Sequence, residues 1–208
     1  MTHSPYNVPA TNTIYNLLFC DDLELYRAGF DGEATGPWQA LFATPSDPDA
    51  LKALAADTSA ESRLRILAFN ALREQSNAAH SKELLGVIIE VGMDDGLDTL
   101  AAYRDLHARY INYSGKMVIW ETNEPTVDQK IRNLLAAAER VIEKIGPSTE
   151  PRLPPPASDL IRMTFLVSDG LYFGQGPAES LQQDPLGGPV IAEATELLLE
   201  LTSRATMN

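Results

Sequence analysis

Apolar positions change their period several times along this chain, and each change marks a new element. Ile14, Tyr15, Leu17, Leu18 and Phe19 form an almost unbroken run that Asp21 and Asp22 end, which predicts a first strand over 14–20. Ahead of it, residues 1–12 are polar, carry Pro5 and Pro9, and read as a mobile tail. Residues 23–27 suit one helical turn, and Gly29, Gly32, Gly36 and Pro37 form a loop. Residues 38–42 are apolar without a readable period.

Residues 47–74 read as helical. Ser46-Asp47-Pro48-Asp49 carries a capping hydroxyl, a first-turn proline and acids that complement the helix dipole. Leu51, Leu54 and Ala55 follow on one side. Thr58 and Glu61 have capping-box spacing, and Leu64, Leu67, Ala68, Ala71 and Leu72 recur at helical intervals.

The period then falls to that of a sheet. Residues 84–91 are nearly all aliphatic and read as a central strand buried on both faces. Asp94-Asp95-Gly96 is a tight turn, and further strands fall at about 97–104, 107–113 and 116–121. Together they predict a four-strand antiparallel meander over 84–121. Another hairpin, 160–174, turns at Ser168-Asp169-Gly170.

Two helices complete the pattern. Over 128–145, Ile131, Leu134, Leu135, Ala138, Val141, Ile142 and Ile145 form a wide apolar stripe that Gly146-Pro147 stops. Over 189–203, Val190, Ile191, Ala194, Leu197, Leu198 and Leu201 form another. Five prolines within 146–156 make an extended connector. The expected fold is α+β, one domain over 13–208, with a mainly antiparallel sheet packed against helices 128–145 and 189–203.

Composition narrows the function classes. The 208 residues include 16 Lys+Arg and 29 Asp+Glu, a net charge of -13, which argues against nucleic acid or an anionic membrane as partner. No apolar run is long enough to span a bilayer, and residues 1–12 lack the features of a signal peptide, so a cytoplasmic location is expected. Cys20 is the only cysteine, which excludes an intramolecular disulfide. Asp21 and Asp22 beside it disfavour the thiolate.

Motifs of strong chemistry are absent. There is no phosphate loop, dinucleotide fingerprint, HExxH or GxSxG. His3, His80 and His107 are far apart, so no metal site is expected on them, and no cofactor is expected at all. Asp94, Asp95 and Gly96 are explained by a turn, and Gly187-Gly188 by loop punctuation before a helix.

One segment stands out. Reading both connections within 97–121 as two-residue turns sets Arg104 opposite His107, Ala102 opposite Arg109, Tyr113 opposite Lys116 and Arg109 opposite Trp120. One sheet face then collects Arg104, His107, Arg109, Tyr113, Lys116 and Trp120 around Leu100, Ile111 and Val118. The other face receives Tyr103, Tyr110, Asn112, Met117 and Ile119. Three cations and a histidine in so acidic a chain invert the local sign, and Arg109 over Trp120 makes a cation–π pair. Such a face suits an anionic ligand or an acidic peptide. It equally suits a solvated sheet face that complements acidic helices of the same chain, and this is the simpler reading. His107 has the chemistry of a general base and Arg104 and Lys116 that of electrophilic stabilisers, but nothing identifies a nucleophile.

The run from Ala108 to Lys116, followed by Ile119-Trp120-Glu121, resembles a stretch in a family of uncharacterised bacterial proteins. The resemblance spans one hairpin and implies no catalytic residue. The expected function is a non-enzymatic interaction or regulatory module with a protein partner, and a homo-oligomer is compatible with it. The alternative is a small enzyme or ligand-binding protein taking an anionic small molecule at the 104–120 face.

Overall fold

The computed structural model describes residues 2–75 and 82–205. His80, expected in a loop, lies outside the described residues. Five helices come first: α1 (Pro9–Leu17), α2 (Leu23–Ala28), α3 (Pro37–Phe42), α4 (Pro48–Ala56) and α5 (Ser62–Gln75). Four strands follow, β1 (Leu84–Met93), β2 (Gly96–Tyr103), β3 (Ala108–Ile111) and β4 (Met117–Trp120), and then helix α6 (Pro125–Ile142). Strands β5 (Leu160–Val167) and β6 (Gly170–Pro177) and helices α7 (Ala178–Gln183) and α8 (Gly187–Ala205) complete the α+β fold. None of the described helices is long and apolar enough to cross a membrane.

The strands form one antiparallel sheet in the order β4-β3-β2-β1-β5-β6. Apolar layers cover both of its faces. Val87 and Ile89 of β1 face the stripes of α6 and α8, where Ile131, Leu134, Val190 and Leu197 are fully buried. Leu85 and Ile88 face the amino-terminal helices instead, against Tyr15, Phe19 and Leu67. This two-sided burial is why β1 is aliphatic at nearly every position.

The amino-terminal third departs from the sequence expectation. Residues 14–20 are not a strand: Ile14–Leu17 close α1, which has Pro9 in its first turn, and Leu18–Cys20 turn away after it. Thr11 and Tyr15 are buried at helical spacing, and Leu18, Phe19 and Cys20 are buried beyond the helix end. Nor do residues 2–12 stand away from the fold. Tyr6 is buried and its hydroxyl lies 2.9 Å from Thr99 Oγ1 on β2. Cys20 follows α1 with a φ of 53°, and burial pushes its thiol up to about 12.

Two helix starts also differ. Thr126 and Gln129 have capping-box spacing, yet Glu124 caps α6, its carboxylate accepting from the N–H groups of Thr126 and Val127 at 3.0 Å. Helix α5 is closed by a residue 43 positions away: Ser62 N donates to Asp105 Oδ2 at 2.6 Å, and Asp105 N donates to Ser62 Oγ at 2.9 Å.

The proline-rich connector lies against the sheet. An added Cβ at Gly92 would stand 2.0 Å from the carbonyl oxygen of Ala157. Gly92→Ala must therefore push the connector backbone away, at a cost of about 1–3 kcal/mol. A urea midpoint equal to that of the wild type would show that residues 156–157 do not dock there.

Candidate functional site

The basic face expected between 104 and 120 does not form, and the reason is the length of two turns. Tyr103, not Arg104, pairs with His107, through Tyr103 N to His107 O at 3.0 Å. Likewise Asn112 pairs with Lys116, at 2.9 Å. Both loops therefore have three residues, each ending in a left-handed residue, Leu106 at φ 69° and Gly115 at φ 83°. One extra residue per loop slips the register by one and exchanges the faces. Arg109 stands opposite Ala101 and Ile119, while Trp120 stands opposite Ala108.

The six expected residues are thus dispersed. Arg109 is buried on the face of the amino-terminal helices, donating to Ala108 O, Trp120 O and the Glu121 carboxylate. Trp120 is on the opposite face, where its ring meets Arg204 of α8, 5.9 Å away, instead of Arg109. Arg104 donates to Leu84 O and pairs with Glu139 of α6. Lys116 and Tyr113 are exposed at the second loop. His107 sits behind the first loop, beside Asp105.

Depressions of about 310 and 340 Å³ do flank Arg104. Their cations are already engaged: Arg104 with Glu139, Lys82 with Ile142 O and Ile145 O, and Arg132 near Asp128 at 4.0 Å. Glu139 and Glu143 add negative charge. An anion there would have to displace carboxylates.

A different cleft, of about 280 Å³, opens between the sheet and helices α7 and α8. Ile89, Leu100 and Ile161 form its floor, and Ile191, Ala194 and Leu198 its wall. Its polar corner is Asp98. That carboxylate accepts from Tyr110 Oη at 2.8 Å and from Tyr113 N at 2.6 Å. Burial, reinforced by the Asp98 hydrogen bond, raises the Tyr110 pKa and keeps its phenol a donor. Asp98 is the only charged side chain in the lining, and no histidine, cysteine, lysine or arginine reaches it. The register slip is what points Tyr110 into this cleft; the two-residue reading had put it on the other face from Leu100.

The opposite face holds a buried polar chain that sequence reasoning missed. Glu90 of β1 is fully buried and accepts from Tyr15 Oη at 2.6 Å. Arg162 of β5 approaches its other oxygen at 3.7 Å and donates to Gln175 Oε1, Leu153 O and Pro154 O. Burial raises the Glu90 pKa, and the hydrogen bond from Tyr15 and the charge of Arg162 oppose that rise. The sequence signal was present, a single carboxylate inside the apolar run 84–91. Glu90 and Arg162 are both buried, so this polar chain ties β1 and β5 to the amino-terminal helix and the connector.

No family model, curated protein or solved structure matches the chain, so no residue role is transferred from a relative.

Proposed function

We propose that this chain is a cytoplasmic, non-enzymatic binding module whose working site is the cleft between the sheet and α8. The observation that carries this reading is the lining: an apolar cavity of about 280 Å³ with a single carboxylate at its corner. Sites for small molecules are typically of this kind, mainly apolar with few convergent polar groups. Its volume approaches the roughly 300 Å³ at which such sites begin. Asp98 retains acceptor capacity beyond its two hydrogen bonds, since an ionised carboxylate takes about four. A ligand with an apolar body and an ammonium or other donor head complements that arrangement. The one hydroxyl beside a carboxylate in the lining, Tyr110 on Asp98, has its pKa raised by burial and stays a phenol, which favours binding over turnover.

The reading based on an anionic ligand at residues 104–120 has less support, because Arg104 and Arg109 pair with the chain's own carboxylates and Lys116 stands apart at the second loop. The test uses two environment-sensitive dyes that share an alkyl chain, one ending in an amine and one in a carboxylate. The amine is expected to bind more tightly, by about 10-fold or more for a charge-assisted contact worth about 1.5–3 kcal/mol. Thr195 lines the cleft but is exposed, so Thr195→Phe should abolish the fluorescence response without lowering the melting temperature. Equal binding of both dyes, or binding that Thr195→Phe leaves intact, rejects the cleft.

A further inference from the structure

Where the start of α5 meets the β2–β3 loop, Glu61, Asp105 and His107 each offer a donor atom within 4.8 Å of the others. We propose that this cluster is a binding site for a divalent transition-metal ion, zinc foremost, that fastens the loop to the helical layer. It is independent of the cleft beside α8.

The three groups come from two elements that the fold already holds together. Asp105 is locked by its reciprocal hydrogen bonds with Ser62. Its second oxygen, Oδ1, accepts from His107 N at 3.2 Å. Each oxygen of an ionised carboxylate takes two such contacts, so both keep a lone pair for a metal. Glu61 sits at the helix start, its carbonyl accepting from Leu64 N and Arg65 N. Arg63 engages only Glu61 Oε1.

The observation that points to an ion is His107 Nδ1. It is a buried ring nitrogen with no hydrogen-bond partner. It faces Asp105 Oδ2 at 3.7 Å, too long for a hydrogen bond. Leaving such an atom unsatisfied is costly, and helix capping explains Asp105 but not the imidazole beside it. Zinc bonds of about 2.0–2.2 Å place tetrahedral donors roughly 3.3–3.5 Å apart, so the His107–Asp105 pair at 3.7 Å must close by a few tenths of an ångström and Glu61, within 4.8 Å, by up to about 1.5 Å through rotation of its side chain.

The donor set selects the ion. One imidazole nitrogen with two carboxylate oxygens suits zinc, cobalt or manganese, whereas calcium and magnesium favour oxygen throughout. Three protein ligands leave the fourth tetrahedral position to water. Electrostatics agree: two carboxylates and Arg63 sum to one negative charge, which a divalent ion converts to one positive.

The experiment uses the full chain, stripped with chelator and titrated with zinc by calorimetry and thermal melting, and with cobalt by visible absorption. One ion per chain is expected. Zinc at about a hundred times Kd should raise the melting temperature by roughly 5–10 °C. Cobalt should develop the visible bands of a low-coordinate nitrogen and oxygen site. His107→Ala should weaken binding by more than the about 10–100-fold that loss of a supporting residue costs. Glu61→Gln, which keeps the helix-capping carbonyl, should weaken it as well. Asp105 is left unaltered because it closes α5. No zinc binding, or binding that survives either substitution, overturns the proposal; survival would mark diffuse attraction to a chain of net charge -13.

Discussion

Arg162→Met is expected to lower the unfolding free energy by about 3–5 kcal/mol, because it leaves the buried Glu90 carboxylate without its cation. It also strips partners from Gln175 and from the carbonyls of Leu153 and Pro154. The loss should depend on pH with a definite sign. Glu90 has its folded pKa raised, burial being the main cause, so the folded state holds this proton at pH values where the unfolded chain has released it. Glu90 thus imposes no penalty below the unfolded value near 4.5, and stability declines as pH climbs from there through the raised folded pKa. Removing Arg162 raises that pKa further and steepens the decline, whereas Glu90→Gln should flatten it. Urea denaturation at a series of pH values from 4 to 8 reads all three slopes. A variant whose stability rises over that range would contradict the assignment of Glu90 as the controlling group.

The second large effect lies on the other face. Leu135→Asp is expected to cost several kcal/mol, since Leu135 is buried in the layer that α6 forms against the sheet. Arg104 and Arg132 line the depression beside Leu135, but Arg104 is taken by Glu139 and Arg132 lies near Asp128, so a new carboxylate would have to compete for them. Calorimetric melting should show a fall of roughly 2–4 °C for each kcal/mol lost in a chain of this size. An unchanged melting temperature would put solvent, not core, beneath that helix face.

What the sequence revealed depended on how strongly a single physical term acted. The stripes of α6 and α8 and the run of β1 were readable because burial alone dictates them. The hairpin at Asp94-Asp95 was readable because Met93 and Gly96 close a two-residue turn of ordinary chemistry. The candidate face was misread for want of one residue per loop. Gly115 hinted at the longer loop, since glycine is favoured at its left-handed last position. Leu106 hid the other, because a leucine at φ 69° is an unfavoured choice that tertiary contacts enforce. The error was small in sequence and large in outcome, as it exchanged every side chain of β3 between faces, while β4, slipped twice, kept Val118 and Trp120 on the face of Leu100. Helix α1 was obscured for another reason: Tyr15, Leu17, Leu18 and Phe19 are all apolar, and only the packed structure separates the covered positions from the rest. The cluster of Glu61, Asp105 and His107 left no motif, because Asp105 and Glu61 meet through folding and not through spacing.

The position of β1 at the centre of the sheet also sets a timetable. Its first neighbour, β2, follows after a two-residue turn, but its second, β5, begins roughly 75 residues later. At synthesis rates of about 5–20 residues per second, β1 emerges about 4–15 s before β5 exists. During that interval an aliphatic strand offers one unpaired edge and lacks the α6 and α8 layer. Helices α1–α5 are synthesised earlier and are available to cover its other face. The nascent chain is therefore shielded on one side only, and its hazard of sticking to a second copy is concentrated in the time taken to translate α6, the connector and β5.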